Sequence, residues 1–329
     1  MKNVVIAGLR HGHILGLYQT VLNDPDCNLA GVCEEDATTR KNYAAHPFVK
    51  ITHTNFTAML SEVDCDIVAI GDYYARRGSL AIEALKAGKH IISDKPLCIS
   101  LDELKQIRQL AKEKNLKVGC MFDLRTCPQF VGARQLIQAG KLGKVVQIQF
   151  TAQHPLNLGV RPSWYFEPGK HGGTINDIAS HAIDLIPWMT GNKFKRFIAA
   201  RTWKAFDSGC DCFNDAAQFM LEMDNGCGVL GDVSYSAPTC QGLLPSYWRF
   251  NIWGTQGMLE INYADKKICF YQKGYTSGSV LTVPADTGLT YGQSFLLDIA
   301  GTPADLNTKS VLESTEMTLK LQALADKSC

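Results

Sequence analysis

Three stretches of this sequence hold side chains whose types and spacing could do chemistry. The first is Gly8-Leu9-Arg10-His11-Gly12-His13, between an apolar run and a helical pattern. A glycine turn in that place lets backbone N–H groups and a helix N-terminus approach a pyrophosphate. Against the fingerprint G-x-G-x-x-G only Gly8 is in register; Arg10 and His13 occupy the other two glycine places, and Gly12 falls one residue early. An ordinary strand–helix turn fits these residues equally well. The second stretch is Ser93-Asp94-Lys95-Pro96-Leu97, after a short buried-strand pattern. A lysine at the carboxyl end of such a strand can hydrogen-bond a substrate hydroxyl and stabilise the developing alkoxide, although alone it also reads as a surface residue. The third runs from Gly172-Gly173 through Asp177 to His181 and Asp184. Asp177 and His181 are four apart, so one helix face presents both, and the carboxylate can orient the imidazole as acceptor of a hydroxyl proton. Outside such a context the same pair is commonly structural, and Asp184 reads as a salt-bridge or cap residue.

A further acid sharpens the first stretch. Glu34 ends the second strand pattern, at the place where doubly wound dinucleotide-binding folds put a carboxylate about 20 residues past the glycines to accept from the ribose hydroxyls. Glu35 and Asp36 follow it and would repel a 2′-phosphate, so NAD is favoured; Arg10 and Arg40 leave NADP open.

The elements that must position these groups alternate in the first third. Strand patterns at 4–7, 29–33, 67–70, 90–93 and 117–121 are separated by helical patterns at 13–23, 38–45, 56–60, 79–87 and 101–115. Gly88 is a stop for the fourth helix, and Ser100 with Glu103 forms a capping box for the fifth. This alternation predicts a parallel, doubly wound sheet covered by helices over 1–121. From 122 to 329 the rhythm changes. Helices at 128–139 and 177–189 and a strand at 144–151 precede strands at 196–201, 216–223, 226–235, 247–253, 258–262 and 267–271. Asn225-Gly226 is a hairpin signal. An α+β domain with an open, mostly antiparallel sheet is expected, closed by a helix at 310–326.

Composition bounds the partners. The chain has 329 residues, 46% hydrophobic and 20% charged, with 33 Lys and Arg against 32 Asp and Glu. Two globular domains fit this length, and the charge balance gives no reason to expect nucleic acid or a membrane surface. The apolar run at 4–8 is too short for a secretion signal, and no eighteen consecutive apolar residues occur, so a cytoplasmic protein is expected. The twelve cysteines are scattered, with no C-x-x-C; Cys210-Asp211-Cys212 is the closest pair. Free thiols and no metal site are expected.

In combination these motifs resemble the glucose–fructose oxidoreductase / inositol dehydrogenase / rhizopine-catabolism (Gfo/Idh/MocA) family over nearly the whole length. The resemblance is carried by the glycine turn, by Ala87-Gly88-Lys89-His90 leading into Asp94-Lys95-Pro96, and by Gly140-Lys141-Leu142-Gly143-Lys144-Val145. Gly172-Gly173 with Asp177 and His181, and Gly254-Thr255-Gln256-Gly257-Met258-Leu259-Glu260, complete it. It implies a Rossmann domain followed by the substrate domain. Hydride would pass between a nicotinamide cofactor and a hydroxyl or keto carbon of a sugar, cyclitol or sugar acid. Lys95, Asp177 and His181 match the family's catalytic trio: His181 the acid/base, Asp177 its orienting or substrate-binding partner, Lys95 the second hydroxyl ligand. Dimers or tetramers through the open sheet are implied too.

The sequence departs from the family in the cofactor pocket. Asp72-Tyr73 stand where Thr-Pro is common, Arg77 where a His follows, Asp94 where a glutamate is usual, and Ala179 where a glycine is usual. Asp72, Tyr73, Arg77 and Asp94 therefore join Gly8, Arg10, His11, Gly12, His13, Glu34 and Lys95 as expected cofactor contacts. His154, Arg161, Trp164, Tyr165 and His171 lie in a loop-rich stretch able to bind a sugar, or to pack a domain junction. Arg125 and Gln129 are further cleft candidates. Two other readings remain: a redox-neutral enzyme that keeps NAD bound, oxidises transiently and then eliminates, hydrolyses or epimerises; and a non-catalytic sugar or dinucleotide sensor, against which the intact trio speaks.

Overall fold

The computed structural model describes residues 1–206, 209–239 and 244–327 and divides into two compact units. The first unit comprises Met1–Met121, Gly169–Gly172 and Tyr291–Glu316; the second comprises Phe122–Pro168, Gly173–Thr290 and Met317–Cys329.

In the first unit, short strands rich in Val and Ile are buried on both faces, which is why they read as continuous apolar runs without alternation. They are β1 Lys2–Ala7, β2 Cys27–Cys33, β3 Ile67–Ile70, β4 His90–Ser93 and β5 Val118–Cys120. They form one parallel sheet in the order β2-β1-β3-β4-β5. The connections hold α1 Ile14–Asn23, α2 Ala37–Tyr43, α3 Phe56–Glu62, α4 Tyr74–Lys86 and α5 Leu101–Glu113. Polar side chains start three of these helices: Asp36 accepts from the Thr39 amide, Asn55 from Ala58, and Ser100 from Asp102 and Glu103. Strand order reverses direction at β1, so the residues following β1, β3 and β4, namely Gly8, Asp72 and Asp94, gather at the carboxyl edge where such sheets bind ligands.

The second unit contains α6 Pro128–Gln138, β6 Val145–Pro155, a wide helical turn at Ile175–Ala179 and α7 Ser180–Thr190. Seven further strands follow: β7 Phe194–Trp203, β8 Ala216–Met223, β9 Gly228–Ala237, β10 Arg249–Gly254, β11 Gly257–Asn262, β12 Ile268–Gln272 and β13 Ser279–Leu281. The sheet order is β13-β12-β11-β10-β6-β9-β8-β7, with β6 and β9 parallel and the other neighbours antiparallel. Alternation sends Phe150, Phe219 and Phe250 to the buried face, where Phe150 lies 5.4 Å from Phe219 and 5.6 Å from Phe250 between ring centres. Finally α8 Tyr291–Ile299 belongs to the first unit, and α9 Thr308–Asp326 begins there and ends in the second.

Three local features differ from the expected pattern. Helix α4 begins at Tyr74, five residues before the expected 79. Its first turn carries Arg76 and Arg77, and Arg77 is fully buried because its charge is matched inside the unit. The expected helix at 177–189 begins as the wide turn of five-residue repeat, so four-residue spacing no longer stacks Asp177 over His181 as a regular helix would. Segments 169–172 and 291–316, expected in the second domain, belong to the first unit; α8 supplies Phe295 to the core beneath β5. Cys240 lies outside the described residues.

Candidate active site

In the first unit the turn after β1 is built around Gly8. Its φ is +81°, and a Cβ there would lie 2.5 Å from Cβ of Asp72, so only glycine fits. The Leu9 amide donates to Glu34 Oε2 at 2.6 Å and the Asp36 amide to Glu34 Oε1 at 2.7 Å. Glu34 is fully buried, and burial raises its carboxyl above the usual range against the pull of those amides and of Arg10. Arg10 lies among three acids, 3.6 Å from Glu34, 4.0 Å from Asp36 and 3.4 Å from Asp72, with its guanidinium 5.0 Å from the Tyr73 ring centre. Burial likewise raises the Asp72 carboxyl, opposed by Arg10.

Beside this turn sits a buried charged knot. Arg77 donates to the carbonyls of Asp72 (2.7 Å), Asp94 (3.0 Å), Lys95 (2.5 Å) and Pro96 (3.2 Å), and to Asp94 Oδ2 at 2.7 Å. His11 Nδ1 reaches the same Oδ2 at 2.5 Å, its Nε2 lies 3.2 Å from Tyr74 Oη, and His13 Nδ1 lies 3.5 Å from Asp94 Oδ1. Burial works against ionisation of Asp94, but Arg77 and His11 together hold its carboxyl well below the usual range. Burial pushes His11 from 6.5 down to about 4 despite the attraction of Asp94. The imidazole is therefore neutral near pH 7, donating from Nδ1 to Asp94 and accepting at Nε2 from Tyr74. Lys95, next in the chain, is itself buried.

The residues of this edge fit the expected dinucleotide. The Gly8 cradle has no room for a side chain, and no protein acceptor is paired with the Gly12 and His13 amides among the described residues. Two amides at the start of α1, on the carboxyl edge of a parallel sheet, fit a pyrophosphate. Glu34 is placed to receive ribose hydroxyls if they share it with Arg10. His11, His13 and Asp94 also bring three potential ligand atoms within 4.8 Å of one another, a grouping no cysteine spacing could reveal. Arg77 already balances Asp94, which disfavours a cation there.

In the second unit Asp177 accepts from Tyr235 Oη, and burial next to that carboxylate keeps the Tyr235 hydroxyl protonated well above its usual range. His181, on α7, packs edge-on to Trp248 at 5.1 Å and faces Phe122 at 6.2 Å, with Nδ1 3.6 Å from Asp123 Oδ1. Gln322 of α9 accepts at Oε1 from the Ile175 and Asn176 amides at 3.0 and 3.2 Å, fixing the start of the wide turn. Of the expected substrate contacts, Trp164 and Tyr165 stack at 4.3 Å, and the Arg161 guanidinium lies 4.8 Å from both the Tyr165 and Tyr235 ring centres. His154 joins Tyr247 at 4.5 Å and Trp248 at 5.5 Å. Arg125 instead forms a two-point pair with Asp184, at 2.7 and 2.5 Å, and Gln129 Nε2 donates to the Asn262 and Tyr263 carbonyls. His171 belongs to the first unit, beside Tyr74, whereas His154, Arg161, Trp164 and Tyr165 belong to the second.

Tyr235, Trp248, Tyr74 and Asp123 were not anticipated. Tyr235 and Trp248 are alternate positions in or beside strands, a pattern that announces burial and nothing about chemistry. Tyr74 was hidden by the misplaced start of α4.

Comparisons with known proteins agree with this architecture. A profile described as an oxidoreductase family with an NAD-binding Rossmann fold matches residues 2–122, and one described as the GFO/IDH/MocA C-terminal domain matches residues 130–260. Levoglucosan dehydrogenase of Pseudarthrobacter phenanthrenivorans is 25% identical over 64% of this chain and 58% of its own. The scyllo-inositol 2-dehydrogenase (NAD(+)) of Bacillus subtilis is 26% identical over 62% of this chain and 57% of its own. The matched stretches span about half the length of the curated relatives. An inositol dehydrogenase homolog from Azotobacter vinelandii, solved with NADH and myo-inositol, shares the fold at TM-score 0.81 and 16% identity, covering 99% of this chain and 95% of its own.

The knot generates a pH dependence. The folded pKa of His11 lies below its unfolded value, so as pH falls below 6.5 the unfolded chain takes up the proton first. Stability is complete above 6.5 and is lost progressively down to about 4. The loss is up to about 3 kcal/mol. Denaturant unfolding at a series of pH values measures it, and His11→Asn, which keeps a donor for Asp94 but does not titrate, flattens the slope in that window.

Proposed function

The chain belongs to the GFO/IDH/MocA oxidoreductase family, and from that premise we propose that it is an NAD-dependent dehydrogenase acting on a secondary hydroxyl, or the corresponding keto group, of a sugar, cyclitol or sugar acid. The observation that carries this reading is burial: Lys95, Asp177 and His181 are only 6%, 3% and 7% exposed. Titratable groups withdrawn from water in this way are characteristic of sites that move protons. The named activities of relatives, on levoglucosan and on scyllo-inositol, support the substrate class.

The nicotinamide, when bound, supplies the hydride acceptor or donor, and the protein's residues handle the proton and the position of the substrate. Asp123 beside Nδ1 of His181 favours the proton on that nitrogen and leaves Nε2 as the base for the substrate hydroxyl. Tyr235 orients the Asp177 carboxylate, which then accepts from a neighbouring hydroxyl of the substrate. The Lys95 ammonium donates to the reacting oxygen as it gains negative charge. Trp164, Tyr165 and Arg161 offer an aromatic face and a fork of donors suited to a polyol or a carboxylate.

The exposed face of the second sheet supports a proposal for assembly. Register aligns Ala199, Met220, Leu230 and Gln149 in one row across four strands on the exposed face. Such a row suits a partner sheet of a second copy, giving a homodimer or homotetramer in the cytoplasm.

Four measurements check these statements. Purified protein is screened with NAD and NADP against inositols, aldoses, ketoses and sugar acids by nicotinamide absorbance; turnover with one substrate group is expected. Silence across the panel, with dinucleotide released on denaturation, would favour the redox-neutral chemistry. His181→Ala lowers kcat at least about a hundredfold while cofactor affinity is kept; a fully active variant would overturn its role. Glu34→Ala weakens NAD by about tenfold and NADP less, and an unchanged preference removes Glu34 from the ribose site. Sedimentation of the unliganded protein reads a dimer or tetramer, and a monomer at micromolar concentration would refute the sheet interface.

A further inference from the structure

The C-x-C pair that no catalytic role absorbs lies at a specific place in the second unit. Cys210 and Cys212 flank Asp211, whose carboxylate is held by Lys204 Nζ at 2.7 Å. The base of the loop is fixed by Asp215, fully buried, which accepts from the Ala205 and Phe206 amides at 2.7 and 3.0 Å. Between these anchors the two sulfurs are 2.6 Å apart. Both lie within hydrogen-bond reach of the Phe166 carbonyl, Cys210 at 3.0 Å and Cys212 at 3.5 Å. That carbonyl ends the tight turn Ser163–Phe166, which carries Trp164 and Tyr165. The residue after Cys212, Phe213, packs against Phe166 at 5.2 Å and against Tyr235 at 5.3 Å, and Tyr235 bonds Asp177.

The sulfur separation decides between two uses of a dithiol. Two thiolates on a tetrahedral zinc, each bond near 2.3 Å, stand about 3.8 Å apart. A disulfide needs about 2.05 Å. The two free sulfurs touch without being bonded, closer than one zinc would hold them. Cys212 is exposed, so a small reagent can reach the pair.

We propose that Cys210 and Cys212 form a reversible dithiol–disulfide couple whose closure withdraws both thiol donors from the Phe166 carbonyl and loosens the turn bearing Trp164 and Tyr165. In the closing step two S–H bonds break and one S–S bond forms. The two electrons and two protons pass to a low-molecular-weight disulfide, which is reduced to two thiols. The consequence for substrate binding rests on the dehydrogenase reading; the couple itself does not.

The test uses the full chain equilibrated with graded ratios of oxidised to reduced glutathione, quenched by alkylation and analysed by mass spectrometry. The segment holding both cysteines loses two hydrogen atoms, escapes alkylation and recovers both on return to reduced glutathione. A stable glutathione adduct on either sulfur, or no change in excess oxidised glutathione, overturns the couple. Amide exchange at Tyr165 and Glu167, whose N–H groups close the turn on Pro162 and Trp164, rises about fivefold in the oxidised protein. Cys212→Ser under the same conditions shows no such rise. Disulfide formation with unchanged exchange overturns the coupling to the turn. Activity is read last: oxidation raises KM with kcat little changed. Absence of activity in both redox states counts against the dehydrogenase reading and leaves the mass and exchange results standing.

Discussion

The carboxyl edge of the first sheet depends on one fully buried ion pair, Arg77 with Asp94. Neither charge could be withdrawn from water alone, since an unpaired buried ion is destabilising by about 3–5 kcal/mol. The arginine resolves this by spending its planar fork on four backbone carbonyls as well as the carboxylate. Those carbonyls belong to the segments after β3 and β4, so the pair ties two crossovers together just where a ligand would approach. His11, drawn to the same carboxylate oxygen, ties in the turn after β1. A smaller residue at 77 would leave the two segments after β3 and β4 without a common donor, and the place of Lys95 would no longer be fixed through its own carbonyl.

The second unit solves a similar problem by other means. Its wide helical turn buries Asp177 and His181 at the start of α7, where exposed amides need acceptors. The Gln322 amide oxygen, arriving from α9, takes two of them. A neutral acceptor here spares the site a further charge close to Asp177, which accepts from the Tyr235 hydroxyl. Aromatic rings, Phe122 and Trp248 around His181 and Trp164 with Tyr165 further on, keep water away without adding charge that would bias the imidazole.

Much of this was legible in the sequence because burial on both faces and strict alternation leave different marks. The five-strand alternation over the first third and the run of antiparallel strands later were readable for that reason, as was the helix cap at Ser100. The glycine turn was readable because backbone geometry leaves little choice at Gly8. What escaped depended on tertiary compensation. Arg77 reads as a cofactor contact, and nothing in the sequence tells that Asp94 and four backbone carbonyls take its donors. The wide turn at Ile175–Ala179 has no sequence period of its own, so regular helical spacing was assumed. Tyr235 is one of many alternating strand residues, and nothing local distinguishes the hydroxyl that will meet Asp177. The return of residues 291–316 to the first unit is a matter of which core they complete, and Phe295 completes the one beneath β5.

The crowded acids after β2 bear on cofactor choice more directly than their count alone. Arg40, which left a 2′-phosphate open on sequence grounds, donates to the carbonyls of Glu34 and Glu35 at 2.9 and 2.7 Å. Arg76 is engaged by Glu35 at 3.2 Å. Arg10 is shared among Glu34, Asp36 and Asp72. A 2′-phosphate would therefore have to draw Arg10 off carboxylates that are themselves mostly buried, leaving Glu34 and Asp72 less compensated beside a new dianion. A ribose hydroxyl has no such conflict. Donating to Glu34, it would leave Arg10 in place beside a carboxylate whose pKa burial has raised. The same arginine that degrades the glycine fingerprint thus compensates the acids around it, and a 2′-phosphate would compete with them for it.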